Sequence, residues 1–248
     1  MRLWRLLSGG IIEHFIFTTF VVFLLFLYLY MPITILAELR EEWQDAWQSA
    51  WFRKRVIVGL VLVIVTLSLF PFFFQTIEKR NGTLLQDPLL AWLPPHNVSL
   101  AIFVIIWAIS LLAILRAAQD PYMFLTFIWA YWLLCLMRTL SISVVPLNPP
   151  VGLVGLVDPI SNFFYGEKFV TKDLFFSGHT STLFLLFLCM PGKIDKGLTL
   201  SATVIVGALL LVQHVHYTLD VLGAFVFGWI AFWTARKTVV PPAQTDNP

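Results

Sequence analysis

The chain has 248 residues, of which 59% are hydrophobic and only 12% are charged. A typical soluble domain carries about twice that charged fraction, so the composition excludes a water-soluble globular protein. The net charge of +2 gives no strong positive field, and nucleic acid is not an expected partner. The two cysteines, Cys135 and Cys189, both lie in apolar stretches, which argues against a disulfide framework or a zinc site.

Apolar stretches of about twenty residues recur along the chain, and each is long enough to cross a hydrocarbon core of roughly 30 Å. In lipid such stretches must be helices, because every backbone polar group needs a partner within the protein. The sequence therefore predicts an all-α, polytopic integral membrane bundle, with a six-helix core and one additional N-terminal transmembrane helix. The seven predicted segments are 11–37, 55–77, 98–116, 122–145, 174–190, 198–216 and 219–236.

A charged stretch rich in tryptophan, residues 38–55, connects the first two segments. Trp43, Trp47 and Trp51 recur every four residues, which places them on one face of a helix. This pattern predicts an amphipathic helix lying in the membrane interface, and a helix that docks a partner is the alternative. The predicted domains are an N-terminal membrane segment with this interfacial helix, a six-helix core and a disordered tail, at 1–54, 55–236 and 237–248.

The distribution of Lys and Arg predicts the orientation of the bundle. We define side A as the face that carries the long loops 78–97 and 146–173, and side B as the opposite face. Side B holds nine Lys and Arg residues and side A holds six. By the positive-inside rule, side B is cytoplasmic. The expected location is a bacterial inner membrane, or the Golgi or plasma membrane if the source is eukaryotic, with the site on the non-cytoplasmic face.

Ionisable groups at membrane depth are costly, and several of them fall near side A. Arg138 lies within the fourth segment, while His179 and His216 lie near the side-A ends of the fifth and sixth. Asp220 follows His216 by four residues, so its carboxylate can hold one imidazole nitrogen and leave the other basic. The remaining histidines are expected to be interfacial or core residues: His14, His96 and His214.

Ser177 and Gly178 precede His179 at the start of the fifth segment, where unpaired backbone N–H groups favour an anion. Together with the second histidine and the buried arginine, this arrangement suits phosphoryl transfer. One histidine would attack phosphorus, the other would protonate the leaving oxygen, and cations would hold the equatorial oxygens.

Two motifs of the chain resemble those of a known family. The stretches DLFFSGHT, 173–180, and HYTLDV, 216–221, are similar to D-x-x-x-S-G-H-T and H-Y-T-x-D-V of the sphingomyelin synthase branch of the lipid phosphatase and phosphotransferase superfamily. The phosphatase branch has Pro where Phe176 stands. Two further motifs match loosely, since DPLLAWLPP is a rough counterpart of the first-loop motif and Arg138 lacks the Thr expected four residues later. The resemblance covers roughly 55–236.

The resemblance implies that His179, His216 and Asp220 form a catalytic triad, without a metal or cofactor. His216 would attack the headgroup phosphate of a phospholipid donor and His179 would protonate the leaving diacylglycerol, while Asp220 orients His216. The phosphohistidine would then pass its headgroup to the hydroxyl of ceramide or a related lipid alcohol. The expected substrate-binding residues are Arg138, Asp173, Ser177, Gly178 and Tyr217, and Asp173 is also expected to help activate the acceptor hydroxyl.

The same motifs are compatible with two other functions. A lipid phosphatase or phospholipase-C-like hydrolase would let water, rather than a lipid alcohol, resolve the phosphohistidine. A membrane scaffold or transporter would keep the motifs without catalysis, although the intact histidines and aspartate count against it. The expected partners are a phospholipid donor, a lipid-alcohol acceptor and the bilayer.

Overall fold

The computed structural model describes residues 33–156 and 170–239, and within these ranges almost all of the regular structure is helical. This confirms the predicted all-α class. The exception is an isolated parallel bridge between Thr83 and Leu147 in the side-A loops. The helices are α1 Ile33–Gln48, α2 Ala50–Glu78, α3 Pro88–Trp92, α4 Ser99–Gln119, α5 Pro121–Val144, α6 Gly178–Cys189, α7 Lys193–Val212 and α8 Thr218–Thr238.

Five of the described helices, α2, α4, α5, α7 and α8, are long and apolar enough to cross a membrane. The sixth member of the core, α6, is apolar but has only 12 residues. These helices confirm a multi-pass membrane protein. The first predicted segment up to residue 32, with His14, and the tail from residue 240 lie outside the described residues.

The tryptophan-rich stretch is two helices rather than the one that was predicted. The break falls at Ser49, whose hydroxyl caps α2 by accepting the N–H of Phe52 at 3.4 Å. Trp43 stays on α1 and donates its indole N–H to the carbonyl of Ala118 at 2.8 Å, whereas Trp51 belongs to α2. A local N-cap therefore overrides the four-residue periodicity that suggested a continuous helix.

Two predicted core segments also differ from the observed helices. The segment 174–190 begins before its helix, because residues 174–177 form a bend outside the helix and Ser177 is the N-cap of α6. The segment 198–216 begins five residues late, since α7 already starts at Lys193. Charged residues in the first turn of α7 lowered the local hydropathy there. One of them, Asp195, forms an ion pair with Arg116 of α4 at 2.7 Å.

The short helix α6 lies in the middle of the bundle and packs against α4, α5, α7 and α8. Two glycines allow close approach: a Cβ on Gly207 would lie 2.9 Å from Val221, and one on Gly228 would lie 2.9 Å from Phe184. The chain direction alternates from each core helix to the next. The starts of α6 and α8 therefore lie at the same end as the C-termini of α5 and α7, and this end is side A.

Candidate active site

Asp220 joins the two motifs at the side-A end of the bundle. It lies in the first turn of α8 and is only 1% exposed. Its carboxylate lies 3.3 Å from Nδ1 of His216 and accepts the N–H of Phe175 at 3.1 Å. Its backbone carbonyl accepts the N–H of Ser177 at 2.9 Å. One residue thus fixes the ring of His216 and the chain that leads into α6.

The pairing of His216 with Asp220 does not arise from a continuous helix. The helix α7 ends four residues before His216, and α8 begins two residues after it. Tyr217 is the N-cap of α8, and its N–H donates to the Asp220 carboxylate at 3.0 Å. In the neutral ring, a bond from Nδ1–H to the Asp220 carboxylate places the lone pair on Nε2. The ring is buried, with 3% exposure.

Arg138 extends from α5 toward the start of α6 and is buried. Its guanidinium forms an ion pair with Asp173 and donates to the carbonyl of Phe176 at 3.4 Å. It also lies over the Phe176 ring, 5.7 Å from the centroid. A Cβ on Gly178 would overlap the guanidinium, so glycine is the residue that lets Arg138 reach the helix start. The structure therefore brings Arg138, Asp173 and Gly178 together.

Phe175 adopts an unusual backbone conformation where the chain enters this site. Its φ of 97° lies in the left-handed region, which costs a bulky residue conformational energy. The N–H of Phe175 and that of Ser177 both donate to Asp220, while Arg138 holds the carbonyl between them. These bonds from α5 and α8 stabilise the strained turn.

His179 lies in the first turn of α6 and is half-buried. Its ring meets the ring of Phe103 edge to face, with centroids 6.1 Å apart. Ser177 caps the same helix by accepting the N–H and the hydroxyl of Thr180, at 3.3 and 3.1 Å. The described contacts of Ser177 are structural, and its binding of substrate stays a prediction.

Tyr217 is buried, and its hydroxyl connects two side-A loops. It donates to the carbonyl of Asn148 at 2.9 Å and accepts the N–H of Leu85 at 3.3 Å. Burial raises the pKa of the Tyr217 phenol, and the hydrogen bond from Leu85 only partly opposes that rise. These contacts give Tyr217 a structural role, and contact with substrate stays a prediction.

Asp87 is a residue of this region that the sequence reasoning did not single out. Its carboxylate caps α3 by accepting the N–H groups of Leu89 and Leu90, at 3.0 and 3.3 Å. It also accepts the N–H and the hydroxyl of Thr218, at 2.6 and 3.0 Å. The Asp-Pro pair predicts the cap on α3. No local sequence pattern predicts the contact of Asp87 with Thr218 of α8, which is distant in sequence.

Burial alone would raise the pKa of the Asp87 carboxyl. The hydrogen bonds from Thr218, Leu90 and Leu89 favour the charged form more strongly, so the pKa is lowered below 3.8. Asp87 is therefore a carboxylate at neutral pH, and it ties the first side-A loop to the start of α8.

His214 is consistent with its expected structural role. It is 5% exposed, and its φ of 56° is left-handed. Its two ring nitrogens lie 2.8 and 2.9 Å from the carbonyl oxygens of Val151 and Leu93. The ring therefore packs between two side-A loops rather than beside His216.

Comparison with known proteins bears on the last three helices. Residues 172–237 match the family model described as "PAP2 superfamily C-terminal". The match contains both motifs, α6, α7 and α8 up to Lys237, and it supports a place for this chain in the lipid phosphatase and phosphotransferase superfamily. Arg138 and the first side-A loop lie outside the matched residues. No curated protein sequence is significantly similar to the chain.

Proposed function

We propose that this protein is a lipid phosphotransferase. It moves a phosphoalcohol headgroup from a glycerophospholipid to ceramide or a related lipid alcohol, through a phosphohistidine on His216. The observation that carries the proposal is the buried His216–Asp220 pair, which is bonded to the chain entering α6. The family match supports the superfamily. The transferase branch is supported by the resemblance of the two motifs.

In the first step, Nε2 of His216 attacks the phosphorus of the donor. The N–P bond forms and the P–O bond to diacylglycerol breaks. His179 donates a proton to the leaving oxygen, which is otherwise a poor leaving group. The ring of His216 gains positive charge, and the Asp220 carboxylate at Nδ1 stabilises it.

In the second step, the hydroxyl of ceramide attacks the same phosphorus. The new O–P bond forms, the N–P bond breaks, and the hydroxyl proton passes to His179. Both histidines then return to their starting protonation states. The same residues thus act in both directions, as microscopic reversibility requires.

Arg138 supplies the positive charge for the phosphate oxygens, together with the N–H groups at the start of α6. Its guanidinium contacts Asp173, and Gly178 lets it lie against the helix. A bound phosphate would share the guanidinium with Asp173. The carboxylate of Asp173 would then be available to help activate the acceptor hydroxyl.

The second candidate is a lipid phosphatase or phospholipase-C-like hydrolase, in which water replaces ceramide in the second step. It is favoured by the half-buried position of His179, because the proton donor is not fully enclosed by protein. In either case we place the site on the non-cytoplasmic face, because the motif histidines lie at side A and side B carries more Lys and Arg.

The test uses purified protein with headgroup-labelled phosphatidylcholine or phosphatidylethanolamine, with and without ceramide. Transfer predicts a labelled ceramide product that requires ceramide and the intact His216. Hydrolysis predicts labelled phosphoalcohol whether or not ceramide is present. Failure to consume any of these lipids contradicts both reactions.

A further inference from the structure

The C-terminal end of α2 holds the chain that carries Asp173. Glu78 accepts the N–H groups of Thr171 and Lys172 on Oε1, at 2.6 and 2.7 Å. Its Oε2 accepts the hydroxyl of Thr171 at 2.9 Å. Three donors from two adjacent residues thus converge on one carboxylate. The next residue is Asp173, so Glu78 fixes the chain immediately before the partner of Arg138.

Arg80, two residues further on, holds the helix that carries Arg138. Its guanidinium donates to the carbonyls of Ile142 and Ser143, at 2.6 and 2.9 Å, in the last turn of α5. These carbonyls have no partner within the helix, and a cation suits the negative end of the helix dipole. The ammonium of Lys172 also donates to the carbonyl of Arg80. This bond links the segment held by Glu78 directly to Arg80.

We propose that Glu78 and Arg80 form a clamp that positions the Arg138–Asp173 pair for the donor phosphate. Arg80 sets the end of α5 about one turn beyond Arg138, while Glu78 sets the approach to Asp173. This inference rests on the proposed function, because it assigns the guanidinium of Arg138 to the lipid phosphate. Neither Glu78 nor Arg80 contacts the substrate, and both act through Arg138 and Asp173.

The clamp depends on the reach of the Glu78 side chain rather than on its charge. A glutamine has the same length, so its Oε1 can keep both N–H bonds while its amide N–H donates to the Thr171 hydroxyl. An aspartate keeps the charge but is one methylene shorter and cannot hold all three donors. An electrostatic role predicts the opposite order, with aspartate the better replacement.

The kinetic test compares Glu78→Gln, Glu78→Asp and Glu78→Ala, with Gln75→Ala, at an exposed position one turn earlier in α2, as the control. We expect kcat/KM for the phospholipid donor to fall by about ten- to hundredfold in the Ala and Asp variants, as for a misplaced binding group. Glu78→Gln should keep donor kinetics close to those of the wild type. Better donor kinetics in Glu78→Asp than in Glu78→Gln would overturn the clamp.

A second measurement does not depend on activity. Hydrogen exchange should show the amides of Thr171 and Lys172 protected in the wild type and in Glu78→Gln, and exposed in Glu78→Asp and Glu78→Ala. If the alanine protein does not fold, the Gln and Asp variants still decide the question. Equal protection in all variants would overturn the clamp. A wild type with protected amides but no activity on any lipid would instead contradict the proposed function.

Discussion

The guanidinium of Arg138 lies so close to the α-carbon of Gly178 that a Cβ there would overlap it. Arg138 is on α5 and Gly178 is the first residue of α6, so this contact sets how closely the cation approaches the residue before His179. Glycine at this position thus determines the geometry of the candidate phosphate site.

The first prediction follows from that contact. Gly178→Ala should displace Arg138 and lower kcat/KM for the donor by about tenfold or more, because the cation no longer reaches its position. The control is Gly197→Ala in α7, where a Cβ would meet nothing within 4 Å. Assays of headgroup release or transfer on both proteins check the expectation. Equal activity of the Gly178→Ala protein and the control would contradict it.

The second prediction concerns the shape of the Arg138 side chain. Arg138→Lys keeps the charge but loses the planar fork that can hold two phosphate oxygens, so activity should fall. Arg116→Lys is the matched control, because Arg116 pairs with Asp195 between α4 and α7 near side B. Steady-state kinetics should show lower activity for Arg138→Lys than for Arg116→Lys. An Arg138→Lys enzyme as active as the control would exclude bidentate binding.

The third prediction concerns Asp220. In Asp220→Asn, the amide no longer stabilises the charged ring of His216 and can favour the wrong tautomer. The rate should fall on the order of 10²–10⁴-fold, the range for a general acid–base partner. A thermal unfolding curve should show that the variant is folded. An active, folded Asp220→Asn protein would remove Asp220 from the mechanism.

The fourth prediction uses the lowered pKa of Asp87. Its hydrogen bonds stabilise the folded state while the carboxyl is charged. This contribution is present above the ordinary pKa of 3.8 and is lost as the pH falls through the lower folded value. Asp87→Asn should therefore lower the melting temperature at pH 6, with a smaller difference near pH 3. If the difference in melting temperature between the wild type and Asp87→Asn stayed constant between pH 6 and pH 3, the stabilising role of the charged Asp87 carboxylate would be contradicted.

The sequence predicted those features that depend on hydropathy and on local motifs. The core helices follow from apolar length. The pairing of His216 with Asp220 was predicted from their spacing, although it forms at the N-terminus of α8 and not within one continuous helix. Helix ends were predicted less well, because charges in the first turn of α7 and the cap at Ser49 act over a few residues only.

The contacts that hold the site together could not be predicted in the same way. Glu78 binds residues that are 93 and 94 positions away, and Asp87 binds Thr218 at a separation of 131. Hydrogen bonds of this kind depend on how the helices pack, which no local pattern encodes. The same holds for Arg138, whose burial was predicted but whose ion pair with Asp173 was not.

The central claim is that His216 is the nucleophile, and the most direct measurement is capture of the covalent intermediate. Purified protein is incubated with headgroup-labelled phospholipid, quenched and assayed for label on the chain. The wild type should carry an adduct that is labile in acid and stable in base, as expected of a phosphohistidine. The His216→Ala protein should carry none, and the His179→Ala protein should form it far more slowly. Full turnover by the His216→Ala protein, or the same adduct on it, would contradict the mechanism.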